Sequence, residues 1–455
     1  MGTQSAYNTW PTAPFLTEAD IKLEAEGSID PLGLAPISTR LANKLVPGVV
    51  ERHQNPRYLT AMAVGNIVCS DFGPHDVAVD ERSPPWQVYE WYTVTGLTRT
   101  AEQRDKLDAI RGLPGREKAR AALKLNIPLS AGNYLKTPSV FGFHGVYRGL
   151  GEALGLIDDY GLGSEGRELL DIWEKEQGLQ GFTSGQGVPG GKQRDILRRA
   201  IQDGMEKAEV ARSKAHWGNG WAFFFDHLRP FSAGQSERRF LWRTLMTPSD
   251  NLRAQILDFV VSAVGKELLE TMHENGEISE RQFHKQLHTV AGSELRSLLD
   301  AIDAYERFSR LITDAFYDCL TFGAEAQRPV SVSELAGVES VKVASANIAE
   351  AIEKTCHRLD TYDEAIEFRK LFTPLAEPTD ASNWIQALLD HHEATQRRKP
   401  PSGKAPWIEN HGAGQIMVRP QYRERGAGRG DQEYVGLYRT GSLWSMARDL
   451  QKAKS

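Results

Sequence analysis

The chain has 455 residues, 40% hydrophobic and 25% charged, with a formal net charge of −6. This is the profile of an ordinary soluble protein with a large core divided among roughly two to four domains. Met1-Gly2-Thr3-Gln4 lacks the basic segment and apolar core of a secretory signal, and the apolar stretch Ile256 to Val264 is interrupted by Asp258, so neither secretion nor membrane spanning is expected. Ala6 stands where a myristoylation pattern needs Ser or Thr. The cysteines Cys69, Cys319 and Cys356 lie far apart in apolar-periodic segments, as expected of small buried residues in the reducing cytoplasm. No cysteine pair has zinc-site spacing, and neither a structural metal nor a cofactor is expected. Residues 397–455 hold 12 Lys/Arg against 5 Asp/Glu, a balance of +7, which leaves −13 for the rest. The basic end reads either as a polyanion site or as a solvated or partner-docking tail.

In chain order, residues 1–125 form an N-terminal helical domain, with helices expected near 17–26, 34–46, 56–70 and 86–97. Asp30-Pro31 sets a turn, Leu34, Ile37, Leu41 and Leu45 mark one helical face, and Pro47-Gly48 stops it. Leu59, Met62, Ala63 and Ile67 begin the next helix, giving a helix-turn-helix-like opening. Trp86, Tyr89, Trp91 and Tyr92 follow a proline pair; such a group can stack nucleobases, but core packing is the better reading.

Residues 126–180 carry the most interpretable local pattern. Val146, Leu150, Leu154 and Ile157 mark a helical face, Asp158-Asp159-Tyr160-Gly161 breaks it, and Leu162 to Leu170 starts a new helix through Gly166-Arg167-Glu168-Leu169-Leu170. This succession resembles the end of winged-helix domains, although the space for a wing hairpin is short. The resemblance implies that the helix with His144, Tyr147, Arg148 and Glu152 is the one presented to a DNA groove or to a protein partner.

Residues 181–330 are expected to be a central helical domain. The glycine-rich stretch Gly181 to Arg194 fails as a phosphate loop, because Gln186 replaces the required glycine and Gln193 the required hydroxyl residue, so it reads as a flexible connection. Leu295, Leu298, Leu299, Ile302, Tyr305, Phe308, Leu311, Ile312, Phe316, Cys319 and Leu320 keep three-and-four spacing through a long spine helix, which also fits a coiled-coil dimer. The Asp30-Pro31-Leu32-Gly33 opening, together with Ala304 to Phe308 and Asp314 to Asp318, resembles poorly characterised bacterial proteins found beside helicases and nucleases in anti-phage defence islands. The resemblance covers well under half the chain. It implies a defence role and helicase or nuclease subunits as partners.

Residues 331–396 read as a helical extension and 397–455 as a basic α+β element. In the latter, Ile416 to Pro420 and Tyr434 to Tyr438 look like strands across a Gly/Arg-rich loop, and Leu443 to Leu450 is a closing helix. The expected fold is therefore mainly α and multidomain, with a winged-helix-like segment and a small C-terminal β-hairpin region.

The candidate chemistry is sparse. His284 and His288 sit four apart without the glutamate or third ligand of a metalloprotease site, and read as surface or boundary residues. His391-His392 fits a helix C-terminal dipole interaction. Asp226-His227 are adjacent on a helix and point apart, among Trp217, Trp221, Phe223, Phe224 and Phe225, which suggest a packed junction between domains. The functional candidates are Arg397, Arg398, Lys399, Lys404, Arg419, Arg423, Arg425, Arg429 and Arg439, with Tyr422, Tyr434 and Tyr438 interleaved and Arg148 on the presented helix. Arginine forks pair with phosphates and tyrosines stack on bases. The expected role is a non-enzymatic DNA-binding, sensing or adaptor component. The alternatives are an assembly scaffold without nucleic-acid contact and an enzyme with dispersed catalytic residues.

Overall fold

A computed structural model describes residues 30–158, 161–211, 217, 219–246, 251–275, 279–378, 380–412, 414–422 and 433–451. Along the chain the principal helices are α1 (Ala35–Leu45), α2 (Arg57–Cys69), α3 (Pro85–Gln103), α4 (Arg116–Lys124), α5 (Phe143–Ala153), α6 (Ser164–Glu176), α7 (Lys192–Lys207), α8 (Asn219–Leu228) and α9 (Gln235–Met246). They continue with α10 (Asn251–Val261), α11 (Ala263–Glu274), α12 (Glu280–Val290), α13 (Ser293–Ala326), α14 (Val332–Ala336), α15 (Glu339–Leu359), α16 (Glu364–Phe372), α17 (Ala381–Arg397) and α18 (Thr440–Gln451). The strands are β1 (Ile157–Asp158), β2 (Gly161–Leu162), β3 (Val330–Ser331), β4 (Ile408–Gly412) and β5 (Gln415–Val418). The fold is mainly helical. Among the described residues no helix is long and apolar enough to cross a membrane.

The chain divides into two compact units, one from residues 42–295 with 438–451 and one from residues 30–41 with 296–437. In the first, α3 is the centre. Pro85 at its first turn suits a position whose N–H has no helical acceptor. Its side chains are buried on nearly every face, and α2, α4, α5, α7 and α8 pack around it. Tyr89, Trp91 and Tyr92 are core residues, and half-buried Trp86 stacks on His144 with ring centroids 4.6 Å apart. Trp217, Trp221, Phe223, Phe224 and Phe225 belong to the same interior. Gly96 permits the closest approach, since a Cβ there would lie 2.4 Å from the Phe224 ring. Each such ring contributes about 1.5–3 kcal/mol by leaving water.

His284 is buried here, not at the surface or a boundary as its sequence setting suggested, because α12 turns it toward Tyr438 (centroids 5.4 Å) and places Nε2 3.8 Å from Glu280. The stretch 181–191 folds into a hydrogen-bonded turn, with Gln186 N bonded to Gly181 O at 3.1 Å and Gly190 N to Gln180 O at 3.0 Å.

In the second unit, α13 beyond Arg296 supplies the apolar ridge that its spacing predicted: Leu298, Ile302, Tyr305, Phe308, Ile312 and Phe316 are all buried. Phe308 meets Phe368 and Phe372 of α16 at centroid distances of 4.9 and 4.8 Å. The sheet order is β3-β5-β4, antiparallel, with Val330 opposite Ile416 and Ile408 opposite Val418. The strand expected at residues 434–438 is absent. Its amides go elsewhere, with Val435 N 2.6 Å and Gly436 N 3.2 Å from the buried Glu306 carboxylate, so a side chain replaces a strand partner.

The Asp30-Pro31-Leu32-Gly33 turn is a seat for the chain. Asp30 accepts from Leu34 N at 2.8 Å and Ala35 N at 2.9 Å, capping α1. Gly33 supplies the positive φ (74°) that the turn requires. Its carbonyls meet donors far away in sequence: Pro31 O accepts from His392 Nδ1 (2.8 Å) and Gln396 Nε2 (3.0 Å), and Leu32 O from His391 Nε2 (2.8 Å). Leu34 O accepts from the Tyr305 hydroxyl at 2.7 Å. The histidine pair thus holds this turn and is not a dipole partner for α17; burial lowers both pKa values, His392 to about 4, which keeps its ring neutral.

Candidate nucleic-acid interface

Helix α17 ends in the basic segment. Arg397, with 72% of its side chain exposed, pairs with Glu393 one turn back. Arg398 is exposed and folds onto the helix end, donating to Ala394 O at 3.2 Å and Thr395 Oγ1 at 3.3 Å. These contacts satisfy the last turn, where carbonyls lack partners and positive charge is favoured. Lys399 is half-buried and donates to Asp30 O at 2.7 Å; burial lowers its pKa. Lys404 is half-buried, and its backbone amide bonds Gln396 O at 2.9 Å. Asp390, Glu393, Ala394, Arg397 and Arg398 line a shallow, open surface of mixed charge.

The remaining candidates are dispersed. Arg419 Nε lies 3.4 Å from Glu409 Oε1, across the β4–β5 pair. Tyr422 is buried and stacks on Trp407, with centroids 4.5 Å apart and planes 7° from parallel, leaving no free face for a base. Arg439 belongs to the other unit, where it is buried at φ 69°, 3.7 Å from Glu51, and its pKa is lowered first by burial. Arg148, in that same unit, is exposed on α5 and bonds Glu152 at 2.7 Å. Arg423, Arg425 and Arg429 lie outside the described residues. The structure therefore brings together Arg397, Arg398, Lys399 and Lys404 at one helix end, whereas Arg148 and Arg439 belong to the other unit.

Sequence reasoning missed the strongest electrostatic features. Glu90 is buried in α3, accepts from the Tyr134 hydroxyl at 2.6 Å and from His144 N at 2.8 Å, and is raised to about 7 by burial. It caps α5 from a distance. Glu280 does the same for α18, accepting from Thr440 N at 3.0 Å, and burial raises it likewise to about 7. Arg57 and Glu237 form a buried two-pronged pair at 3.0 and 3.1 Å. A glutamate inside the aromatic run Trp86-Gln87-Val88-Tyr89-Glu90-Trp91-Tyr92 was the available signal.

Among the described residues no three metal-ligating side chains gather. Asp226 pairs with Arg104, whereas His227 Nδ1 meets Gln177 Oε1 at 3.2 Å, so the two adjacent groups face different partners. Compared with protein families, curated proteins and solved structures, the chain matches none.

Proposed function

We propose that the protein is a non-enzymatic, cytoplasmic DNA-binding adaptor of a bacterial defence system, contacting DNA through Arg397, Arg398 and Lys404 together with Arg423, Arg425 and Arg429. The carrying observation is the exposed Arg397–Arg398 pair at the end of α17, whose partners among the described residues are a surface glutamate, a hydroxyl and a carbonyl. Exposed ion pairs are worth about 0–1 kcal/mol, so a phosphate competes for these guanidinium groups at little cost. In this reading α5, β1, β2 and α6 are the winged-helix-like segment with Arg148 as a secondary contact, and the antiparallel β4–β5 pair lies before the basic stretch in place of the expected pairing of Ile416–Pro420 with Tyr434–Tyr438. The defence context and the helicase or nuclease partners rest on the resemblance of the Asp30–Gly33 and Ala304–Asp318 patches.

The test is full-length protein titrated with single- and double-stranded DNA across a salt series, beside a variant carrying Arg397→Glu, Arg398→Glu and Lys404→Glu. Affinity should fall with salt at a log–log slope of roughly −3 to −5, and the variant should lose most of that slope. Every described candidate side chain already has a partner within the protein, which favours a second reading, an assembly scaffold without DNA contact. Binding that is absent even at low salt would leave that second reading in place of the first.

A further inference from the structure

Asp30 sits at the basic end of α17, where its carbonyl accepts from Lys399 Nζ at 2.7 Å, and both belong to one compact unit. We propose that the acidic stretch just before it, residues 18–26, lies against Arg397, Arg398, Lys399 and Lys404 as an internal competitor that DNA must displace. The shielding rests on the DNA-binding reading; the contact itself does not.

The path of the chain brings the stretch to this place. Leu32 O meets His391, Pro31 O meets Gln396 and Asp30 O meets Lys399, so the chain followed backwards runs along α17 toward its C-terminal end. Gly33 lies close against the same helix, since a Cβ there would be 3.2 Å from Thr395 Cγ2. Glu26 is four residues from Asp30 and Glu18 is twelve. At about 3.3–3.6 Å per residue, their reach from that anchor is at most about 14 and 43 Å, and the four cations fall within eight positions of one another.

Charge selects the occupant. Residues 1–29 lie outside the described residues; their sequence holds Glu18, Asp20, Glu24 and Glu26 against Lys22, a balance of −3. Arg397 and Arg398 are exposed on an open surface, and their described partners are Glu393, Ala394 O and Thr395 Oγ1. A carboxylate competes for such surface guanidinium groups as a phosphate does. One carried on a short tether has a local concentration on the order of millimolar, an advantage over any free anion. DNA therefore binds with an affinity reduced by the fraction of chains in which the basic end is covered.

Two readouts on the full chain test this. A zero-length carbodiimide, which joins a carboxylate to a lysine amine in direct contact, should link Glu24 or Glu26 to Lys399 or Lys404 within one chain at low salt. The link should fade at about 1 M salt, where the screening length is about 3 Å. In a DNA titration, the variant Glu18→Gln, Asp20→Asn, Glu24→Gln and Glu26→Gln should bind about tenfold tighter than the parent, with the gap closing as salt rises. A control with the same change of charge at exposed Glu339, Glu350, Glu353 and Glu377, each to Gln, should stay close to the parent. Equal affinity in variant and parent, or an equal gain in the control, would overturn the shielding, and a missing link would overturn the contact. A salt-sensitive link in a chain that binds no DNA would keep the contact and sink the DNA-binding reading instead.

Discussion

In the unit built on residues 42–295, His53 accepts at Nδ1 from Val50 N (3.2 Å) and donates from Nε2 to Val146 O (2.7 Å). In the unit built on residues 296–437, His392 donates from Nδ1 to Pro31 O (2.8 Å) and accepts at Nε2 from Trp407 N (2.9 Å). Both rings are neutral bridges, and their partners fix opposite tautomers. Their surroundings differ. The first unit also ties its chain with a buried ion pair, Arg57–Glu237, whereas the seat at Pro31–Leu34 is held by neutral donors to backbone carbonyls. Ionic and neutral ties of this kind fail under different insults, which makes the contrast measurable.

The largest effect belongs to the ionic tie. Arg57→Met leaves Glu237 buried, with only the Thr60 hydroxyl (2.7 Å) of its former side-chain partners, and frees Arg229 O, which Arg57 Nη1 holds at 2.7 Å. Breaking one side of a buried pair costs about 3–5 kcal/mol, to be read from urea denaturation. Adding Glu237→Leu should return a good part of that loss, because the uncompensated charge is then gone. No recovery would mean that Arg57 acts mainly through its carbonyl and Ser232 contacts.

The neutral tie should give a smaller loss and a different pH signature. His392→Phe deletes both bonds of the bridge and should cost about 1–3 kcal/mol, mainly for Trp407 N, because Pro31 O keeps Gln396 Nε2 at 3.0 Å. In the parent, burial lowers His392 from 6.5 to about 4, so its contribution is present above 6.5 and is lost as pH falls through 4. Glu90 and Glu280 run the other way: raised from 4.5 to about 7, their contribution is full below 4.5 and is lost as pH rises through 7. Hydrogen exchange at Trp407 N should therefore accelerate on acidification in the parent, beyond the intrinsic rate, and lose that dependence in His392→Phe. A pH-independent parent would sink the neutral-bridge assignment.

What the sequence disclosed follows from the range of the interactions. The spine helix was legible because Leu298, Ile302, Tyr305 and Phe308 repeat within one element, and α3 because Pro85 and its aromatics announce a buried helix. The role of Asp30-Pro31-Leu32-Gly33 was not, since its partners Tyr305, His391, His392 and Gln396 lie hundreds of positions away. Val435-Gly436-Leu437-Tyr438 alternates like a strand, and nothing local reveals that Glu306 takes its amides. The basic candidates share this limit: a count of charges locates Arg397 and Arg439 on one stretch of chain, but folding exposes the first and buries the second.

The smallest expected effect removes burial from the comparison. Arg148–Glu152 is an ion pair in the same unit as Arg57–Glu237, but both side chains are about half exposed (56% and 42%) and one helical turn apart. Such pairs contribute about 0.3–0.5 kcal/mol, so Arg148→Ala should leave the urea midpoint nearly unchanged. That near-neutrality makes the variant a clean probe of function. If α5 touches DNA, removing one phosphate contact lowers the salt slope by about one unit and weakens all sequences alike. An unchanged slope places any DNA contact away from α5 and confines the proposed interface to the end of α17 and the basic chain beyond it. A urea midpoint that dropped as far as that of Arg57→Met would instead contradict the premise that solvent, and not ion pairing itself, separates the two sites.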